Sequence, residues 1–387
     1  MTTTDEQPCI YLDNNATTKP LPEVVETVAR HLAESHGNPG SRHALGRRAR
    51  IVLEDARETI ADILGADPAE VIFTSGGTES TNLALFGFAV GEPGTVLMTA
   101  GEHPATTESV AALQQRGWKR LDLAVDPEGR LSSGSFDELP WNDIRLATII
   151  LAHNETGVIQ DLEPLSDICR RHDVPLHVDA VQAVGKISVD FHRLGSASLA
   201  LGAHKFHGPR GIGALLLRKD CTLASFEFGG HQESGRRPGT ECVALAAGMA
   251  QALQSWHEDL EQRTSRVRML RDQLQQGLQE QAGPNIVNGH LDHRLPNTLN
   301  IAFPGLDGEA ILVALDLEQV ACSLGSTCGS GGTDPAPALV AMGCPEEVYR
   351  ASVRFSVGIE NTFEEIDEAV RRIASVVTRL RKSTPVV

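Results

Sequence analysis

The amino-acid sequence predicts an α/β protein in which helices cover both faces of a mostly parallel sheet. Two patterns carry this prediction: short apolar runs that end in polar residues, and segments of helical spacing that alternate with those runs. The chain has 387 residues, and 41% of them are hydrophobic. This length and composition indicate a large domain with its own core and a smaller companion.

The predicted elements of the first part of the chain alternate in type. Residues 70–89 read as a strand, a glycine turn and a helix, and residues 165–174 have helical spacing. Four further buried strands are predicted at 95–100, 145–152, 174–181 and 212–219. Strands that alternate with helices in this way favour a parallel sheet.

The last part of the chain has a different order of predicted helices and strands. A long, charged helical stretch at 256–281 could lead from the large domain to the small one. Strand-like segments follow at 295–303 and 352–358, and an amphipathic helix that opens with Thr362 as its cap is predicted at 361–382. We therefore expect a large domain over residues 16–260 and a small domain made of residues 1–15 and 261–387.

The overall composition excludes several classes of protein. A net charge of −17 at pH 7 argues against a general affinity for nucleic acid or for an anionic membrane. The seven cysteines include no CxxC pair, so neither a zinc site nor a thioredoxin-type motif is expected. The sequence shows no signal peptide and no apolar run of about 18 residues. We therefore expect a cytoplasmic protein with no membrane or nucleic-acid partner, in a compartment that keeps thiols reduced.

One cysteine lies in an unusual sequence context. Cys328 stands in the middle of LGSTCGSGG (324–332), with glycine, serine and threonine on both sides. Glycine-rich segments of this kind are typical of exposed loops, whereas most free cysteines are buried. A thiol in this position raises the question of what chemistry it serves.

Two charged residues occur where a parallel sheet would place a binding site. Asp179 ends a predicted strand, and a carboxylate there could hold a cationic nitrogen or could cap the next segment. Lys205 lies between His204 and His207 in a glycine-rich turn. A partly desolvated lysine has a lowered pKa and can form a Schiff base, whereas a solvated loop lysine is the ordinary alternative.

Two further segments follow predicted strands. TSGGTES (74–80) opens a helix, and the backbone N–H groups at its start, with the hydroxyl of Thr78, suit a phosphate group. A plain strand-to-helix turn is the alternative interpretation of this segment. His103 of GEHPATTES (101–109) could stack on a flat ring or transfer a proton, although an isolated loop histidine often does neither.

These groups together form the set that a pyridoxal 5′-phosphate enzyme needs. The carboxylate would keep the pyridine nitrogen protonated, so that the ring can accept electrons from the substrate α-carbon. The lysine would hold the aldehyde of the cofactor and then move the α-proton of the substrate. We therefore predict pyridoxal 5′-phosphate as the cofactor.

A series of motifs along the chain resembles the NifS/IscS-type cysteine desulfurases of the class V aminotransferase family. In chain order these motifs are YLDNNATT (11–18), GNPGSRHALGR (37–47), TSGGTES (74–80), EHPA (102–105), NETGVIQD (154–161), HVDAVQAVGK (177–186), HKFHGPRGIGAL (204–215), RPGTE (237–241), GSTC (325–328) and SVRFSVG (352–358). The likeness covers nearly the whole chain. It implies the type I fold of PLP-dependent aminotransferases, with a mostly parallel seven-stranded sheet in the large domain and a smaller α+β domain.

The resemblance also implies roles for residues around the cofactor. Lys205 would carry the cofactor as a Schiff base, Asp179 would pair with its pyridine nitrogen, and His103 would stack on its ring and transfer protons. Gln182 and Asn154 would contact the phenolic oxygen of the cofactor. Its phosphate would be bound by Gly77, Thr78 and His204. Thr240 would reach that same phosphate from the second subunit of a homodimer.

Roles toward the substrate follow from the same resemblance. Arg354 would form a bidentate pair with the carboxylate of L-cysteine, helped by Asn38. Cys328 would attack the substrate sulfur and keep it as a persulfide, with release of L-alanine. The persulfide would then pass to a sulfur-acceptor protein, in iron–sulfur cluster assembly, thiolation or a related pathway. Cys322 could resolve this persulfide or could be a buried strand residue.

Three departures from the family pattern bear on these roles. Gly202 stands where family members usually carry a hydroxyl residue, so one phosphate contact is expected to be missing or replaced. Ser234 stands where arginine is usual, and Arg236 or Arg237 could compensate for it. The chain ends soon after its last helix, whereas family members that dock an iron–sulfur scaffold often carry a longer tail.

Two other functions would use the same fold. One is a selenocysteine lyase or another class V lyase, which differs in the substrate that it prefers. The other is a non-catalytic protein of a sulfur pathway, which only Gly202 and Ser234 favour.

Overall fold

The computed structural model of the protein describes residues 8–324 and 336–383, without the side chains of residues 133 and 135. The strands are β1 (Ile10–Tyr11), β2 (Val71–Thr74), β3 (Thr95–Thr99), β4 (Lys119–Leu123), β5 (Ile144–Ile150), β6 (Leu176–Asp179), β7 (Ser198–Gly202), β8 (Gly213–Leu217), β9 (Ile286–Asn288), β10 (Thr298–Ala302), β11 (Val320–Ala321), β12 (Ser323–Leu324) and β13 (Ser352–Ser356).

The helices alternate with these strands through much of the chain. They are α1 (Pro22–Glu34), α2 (Ala44–Leu64), α3 (Gly77–Phe88), α4 (Pro104–Gln114), α5 (Glu163–Arg171), α6 (Phe191–Leu194), α7 (Val243–Glu258), α8 (Leu260–Gln281), α9 (Gly308–Leu317), α10 (Pro337–Ala341), α11 (Glu346–Tyr349) and α12 (Phe363–Ser383). None of the described helices has the apolar length that a membrane span requires.

The main sheet has seven strands in the order β2-β8-β7-β6-β5-β3-β4. Strands β4, β3, β5, β6 and β7 pair in parallel, and β8 is antiparallel to both of its neighbours. The central strands β6 and β7 are buried along their whole length, as expected when both faces of a sheet are covered. The predicted fold class, a mostly parallel seven-stranded sheet, is confirmed.

A second sheet is antiparallel and has four strands in the order β12-β13-β10-β9. Its strand β13 is buried throughout and carries Arg354, which pairs in register with Asn300 of β10 and with Ser323 of β12. The following helix α12 begins with a capping box, because Glu365 N donates to Thr362 Oγ1 (3.2 Å) and Thr362 N donates to Glu365 Oε2 (3.1 Å). The predicted cap of this helix is therefore present.

The predicted single helical stretch at 256–281 is wrong in one respect. The chain forms two helices, α7 and α8, with a break at Asp259, where φ is −118° and ψ is 19°. Helix α7 packs against α1 and α2, whereas α8 packs against α12. The break lets each helix turn its apolar side toward a different core. Aspartate suits such a position because it is a poor residue for a helix interior.

Two large hydrophobic clusters divide most of the buried side chains between them. The first contains β2, β5, β6, β7 and the buried sides of α2 and α7, and its members lie between residues 21 and 295. The second contains residues 10 and 12 and otherwise residues 267–377, including α8, β10, β13 and α12. The division into domains 16–260 and 1–15 with 261–387 remains a prediction, which this separation of cores favours.

The parallel strands bring five predicted site residues to one edge of the main sheet. Each of these residues ends or follows a different strand that runs in the same direction: Gly77 follows β2, His103 follows β3, Asn154 follows β5, Asp179 ends β6, and Lys205 follows β7. Carboxyl ends of parallel strands meet at one edge, where open α/β sheets bind their ligands. The topology thus assembles a site from residues that are up to 128 positions apart in the sequence.

A buried ion pair holds the loop that leads to Thr240. Glu233 and Ser234 of this loop have φ values of 47° and 57°, in the left-handed region that non-glycine residues seldom adopt. Arg57 of α2 binds the Glu233 carboxylate through two hydrogen bonds of 2.8 Å each. The two side chains are 9% and 1% exposed. Phe73 N also donates to Glu233 (3.2 Å), so this carboxylate ties the loop to both α2 and β2.

We expect Arg57→Met to destabilise the protein by about 3–5 kcal/mol, because it leaves the Glu233 carboxylate buried without its cation. The measurement is the midpoint of urea unfolding. Lys19→Met is the matched control, since the Lys19–Glu360 pair is 73% and 53% exposed and should contribute at most about 1 kcal/mol. Equal small losses in the two variants would contradict the structural role assigned to Arg57.

Candidate active site

A cavity of about 490 Å³ lies at the carboxyl edge of the main sheet. Its walls come from both sheets and from the N-terminal segment of the described chain. The lining residues are Asn15, Ala16, Gly77, Thr78, His103, Pro104, Ala105, Ile150, Asn154, Glu155, Asp179, Val181, Gln182, His204, Lys205, Leu324 and Arg354. Nine of the predicted site residues are therefore brought together here: Gly77, Thr78, His103, Asn154, Asp179, Gln182, His204, Lys205 and Arg354.

Lys205 is held by the backbone of the N-terminal segment. Its Nζ donates to the carbonyl oxygens of Asn15 (2.6 Å) and Ala16 (3.0 Å). Burial, with the nearby Arg354 cation, lowers the pKa of Lys205 to about 8. The ordinary alternative, a solvated loop lysine, does not describe this residue. A large fraction of its amine is uncharged at mildly alkaline pH and can act as a nucleophile.

Asp179 is buried at the end of β6, and it combines both of the roles that its sequence position suggests. Its Oδ1 accepts a hydrogen bond from Val181 N (3.0 Å), which caps the turn after the strand, while its side chain also lines the cavity. Burial raises the pKa of this carboxyl, and the charges of His103 and Lys205 oppose the rise. A cationic ligand nitrogen in the cavity would further stabilise the ionised carboxylate.

His103 is fixed by the start of α4. Its Nδ1 accepts a hydrogen bond from Ala105 N (3.1 Å), as the N-cap of this helix. A nitrogen that accepts in this way carries no proton, so in the neutral ring the proton is on Nε2. Burial lowers the pKa of His103, which favours this neutral form. His103 therefore offers its Nε2 for proton exchange with a ligand.

The start of α3 forms a cradle of backbone N–H groups. Gly76 has a φ of 155°, and a Cβ on Gly77 would overlap the Val181 side chain, so the chain passes close to the turn after β6 here. His204 approaches the same place, with its Nδ1 3.1 Å from Thr17 Oγ1. Burial lowers the pKa of His204 to about 4, so its ring is neutral and can still donate one hydrogen bond. This cradle suits a phosphate group.

Gly202 borders this cradle without a side chain. Its φ of −136° and ψ of 123° are ordinary extended backbone. A Cβ at this position would lie 3.4 Å from Gly77 N and at least 3.7 Å from the His204 and Val181 side chains, which are normal contact distances. A hydroxyl residue would therefore fit at position 202, as it does in the family pattern.

Arg354 reaches the cavity from the second sheet and is largely buried. Its Nη2 donates to Asp13 Oδ1 (2.7 Å) and its Nη1 donates to the carbonyl oxygen of Asn154 (3.0 Å). Its Nε is buried and has no hydrogen-bond partner among the described residues. A buried guanidinium with an unused donor next to a cavity is suited to bind a ligand carboxylate.

Four predicted residues do not line this cavity or lie outside the described range. Asn38 and Thr240 are exposed on loops, and neither lines the cavity. Cys328 lies outside the described residues, but Leu324, four positions earlier in the sequence, lines the cavity. Cys322 is half-buried between β11 and β12 and packs against the second core, and its role toward a persulfide remains untested.

The arginines that could replace the missing one at Ser234 are engaged elsewhere. Arg237 pairs with Glu79 through contacts of 2.7 and 3.4 Å. Arg236 donates to the carbonyl oxygens of Glu233 (3.1 Å) and Ala69 (3.2 Å). Neither of them lines the cavity within this subunit.

Sequence reasoning assigned no role to Asn15, Lys186 or Glu155, although each belongs to a motif that it singled out. Asn15 is 1% exposed and hydrogen-bonds to both lysines of the site. Glu155 is buried beside the cavity, where burial raises the pKa of its carboxyl to about 8. A polar residue near a candidate ligand residue was the available signal, since Glu155 follows Asn154 and Lys186 lies four positions after Gln182.

Known proteins resemble the chain over nearly its whole length. A family model described as class V aminotransferase matches residues 10–369. A protein named cysteine desulfurase IscS, from Methylobacillus flagellatus, is 38% identical over 97% of this chain and 94% of its own length. A solved structure of a NifS-like protein has a TM-score of 0.90 at 33% identity and covers 96% of this chain and 100% of its own. A structure titled SspA in complex with cysteine has a TM-score of 0.80 at 28% identity and covers 91% of this chain and 100% of its own.

We expect the cofactor-free protein to react with pyridoxal 5′-phosphate at a rate that rises with pH around a midpoint near 8, because Lys205 loses its proton there. Absorbance of the imine band measures this rate. Arg354→Met should move the midpoint upward, since a cation no longer opposes protonation of Lys205. The exposed Lys219→Met serves as control, and a midpoint near 10 in the wild-type protein would contradict the burial of Lys205.

Proposed function

The chain belongs to the class V aminotransferase family, and from that premise we propose that it is a cysteine desulfurase that depends on pyridoxal 5′-phosphate. It converts L-cysteine into L-alanine and leaves the sulfur on a protein thiol. The observation that carries the proposal is the single cavity that holds Lys205, Asp179, His103 and Arg354 and that is also lined by Leu324, close in sequence to Cys328.

The residues around the cavity fit the cofactor group by group. Lys205 provides an amine for its aldehyde, and the buried Asp179 provides an anion for its pyridine nitrogen. The N-terminus of α3, with Thr78 and His204, provides donors for its phosphate. Pyridoxal 5′-phosphate supplies, when bound, an electron-accepting ring for chemistry at the substrate α-carbon.

Arg354 would hold the carboxylate of L-cysteine. Because Asp13 and the Asn154 carbonyl fix two of its nitrogens, the guanidinium is already oriented before the substrate binds. Its unpartnered Nε and the remaining N–H groups of the fork are available as donors. Asn38 would assist from a second subunit or after a movement of its own loop, since it lies away from this cavity in the described chain.

Lys205 and His103 would share the proton transfers. The lowered pKa of Lys205 lets its Nζ take the α-proton of the substrate near pH 8 and return it later. His103 would exchange a proton through Nε2, because Ala105 N occupies Nδ1. The two groups follow β7 and β3, which are separated in the sheet by β6 and β5, and both line the cavity, so both can reach a substrate that binds there.

Cys328 would accept the sulfur. The substrate C–S bond breaks, an S–S bond to Cys328 forms, and the β-carbon gains the hydrogen that completes alanine. The two thiols become one persulfide, and the reduction of the β-carbon balances their oxidation, so no external oxidant is needed. Leu324, four residues before Cys328 in the sequence, lines the cavity, which supports this role.

The finer assignments complete the proposal. Thr240, exposed in this chain, would contact the cofactor phosphate of a second subunit, and the homodimer would then share its two sites. The persulfide would pass to a sulfur-acceptor protein, in a reducing cytoplasm that keeps Cys328 a thiol between turnovers.

We expect the purified protein to form alanine from L-cysteine and, when a reductant is present, sulfide as well. Cys328→Ala should lower this activity at least about 100-fold, because it lacks the nucleophile. Lys205→Ala should lose the imine absorbance as well. Cys9→Ala is the control, since Cys9 is an exposed cysteine away from the cavity. Undiminished desulfuration by Cys328→Ala would refute the persulfide route, and faster turnover of selenocysteine than of cysteine by the wild type would favour a selenocysteine lyase.

We expect Gly202→Ser to bind pyridoxal 5′-phosphate about tenfold more tightly than the wild type, because the added hydroxyl fits beside Gly77 and can donate to the phosphate. Fluorescence titration of the cofactor-free protein measures the change in Kd. Gly134→Ser, on a surface segment where a Cβ meets no neighbouring atom within 4 Å, is the matched control. Weaker binding by Gly202→Ser would show that no phosphate oxygen lies next to this position.

A further inference from the structure

Lys186 is a buried lysine that the proposed reaction does not use. It is 4% exposed and has no carboxylate partner among the described residues. Its Nζ donates instead to two amide oxygens, Gln182 Oε1 (2.5 Å) and Asn15 Oδ1 (3.1 Å). A lysine that stays buried without an anion needs a specific reason, because burying its charge is costly.

Two contacts fix how the Gln182 amide is oriented, and Lys186 makes the one to its oxygen. The Lys186 amine donates to the amide oxygen of Gln182, and the carbonyl oxygen of Asn15 can only accept, here from Gln182 Nε2 (2.8 Å). Exchanging the oxygen and nitrogen of the Gln182 amide would break both contacts. One Nε2 hydrogen is used by Asn15, so the second is free for the cavity that Gln182 lines.

We propose that Lys186 is a positioning residue, which holds the Gln182 carbonyl away from the cofactor so that Gln182 presents only an N–H donor to the phenolic oxygen. The proposal rests on the proposed function, because it assumes that the cofactor binds in this cavity. It assigns to Lys186 an effect on the cofactor that is transmitted through one neighbouring side chain.

Asn15 links this arrangement to the catalytic lysine. The same carbonyl oxygen that accepts from Gln182 accepts from Lys205 Nζ (2.6 Å). The Asn15 side chain is also saturated, since its Oδ1 accepts from Asn297 Nδ2 (2.8 Å) as well as from Lys186. Lys186 therefore completes a network in which Gln182 and Lys205 share one acceptor.

The charges around this network favour a hydrogen-bonding role over an ionic one. Burial, with the cations Lys205 and Arg354, holds the pKa of Lys186 well below its usual range. The other charged groups that act on the neighbouring Lys205 are Asp179 and Asp13. An uncharged amine can still donate to both amide oxygens, so the orientation of Gln182 does not require the Lys186 charge.

The test measures the pH midpoint of the absorbance change of the lysine-linked cofactor, which does not depend on turnover of cysteine. A donor to the phenolic oxygen stabilises its anion and lowers this midpoint. We expect Lys186→Met, which keeps the length of the side chain without its N–H groups, to raise the midpoint by about one pH unit. Gln182→Leu should raise it by a similar amount, and the exposed Lys219→Met should leave it unchanged.

The double variant separates positioning from a direct effect of Lys186. If Lys186 acts through Gln182, then Lys186→Met in the Gln182→Leu background should change the midpoint no further. Additive shifts would overturn the proposal, because they would show that Lys186 acts on the cofactor independently. An unchanged midpoint in a Lys186→Met protein that retains the cofactor would also overturn it.

Two controls keep these outcomes interpretable. If Lys186→Met does not bind the cofactor, Lys186→Arg replaces it in the test. This variant retains N–H donors and should keep the wild-type midpoint. A shift of its midpoint as large as that of Gln182→Leu would overturn the proposal. A wild-type protein that binds no cofactor would overturn both this proposal and the proposed function. A wild type that binds and titrates, but does not desulfurate cysteine, would overturn the proposed function alone.

Discussion

The buried Asn15 is the point on which the two sheets and the site depend. Its amide nitrogen donates to Thr298 Oγ1 of β10 (2.8 Å) and its backbone nitrogen donates to Ser356 Oγ of β13 (2.9 Å). Its carbonyl oxygen holds Lys205 from the main sheet. Buried polar groups must find partners inside the protein, so these bonds keep both sheets in one arrangement. Lys205 and Arg354, which would bind the cofactor and the substrate carboxylate, thus have a fixed relation.

Several basic side chains are buried close together around this point, and burial is the main cause of their unusual protonation. Arg354 is paired with Asp13, whereas Lys205 and Lys186 are bound only to neutral oxygens. Burial and neighbouring cations therefore lower the pKa values of both lysines. An anionic cofactor and a substrate carboxylate would meet N–H donors of Arg354, Lys205 and His204 in this cavity. The same burial that lowers the pKa of Lys205 keeps its amine reactive.

The strands with strong apolar patterns could be predicted from the sequence, and with them the edge of the sheet where five site residues meet. Strand β4 was not predicted, because its residues are mostly exposed or half-buried and have no apolar run. The break at Asp259 was missed because helical spacing continues across it, and only the separation of two cores explains it. The Asn15 contacts join residues up to 341 positions apart, which no local pattern reports. The sequence motifs identified the site residues, but the orientation of the Gln182 amide could be assigned only from its contacts in the structure.

The short strand β12 pairs with β13 in a register that sets Ser323 opposite Arg354 and Leu324 opposite Val353. The hydrogen bonds between β12 and β13 therefore fix the position of Leu324 relative to Arg354, the group that would anchor the substrate. A slip by one residue would shift Leu324 by about 3.3 Å and turn its side chain to the other face. Adding or removing residues after Leu324 would leave this register, and with it the position of Arg354, unchanged. If Cys328 carries the sulfur and Arg354 binds the substrate as proposed, sulfur delivery could therefore be altered without altering substrate binding.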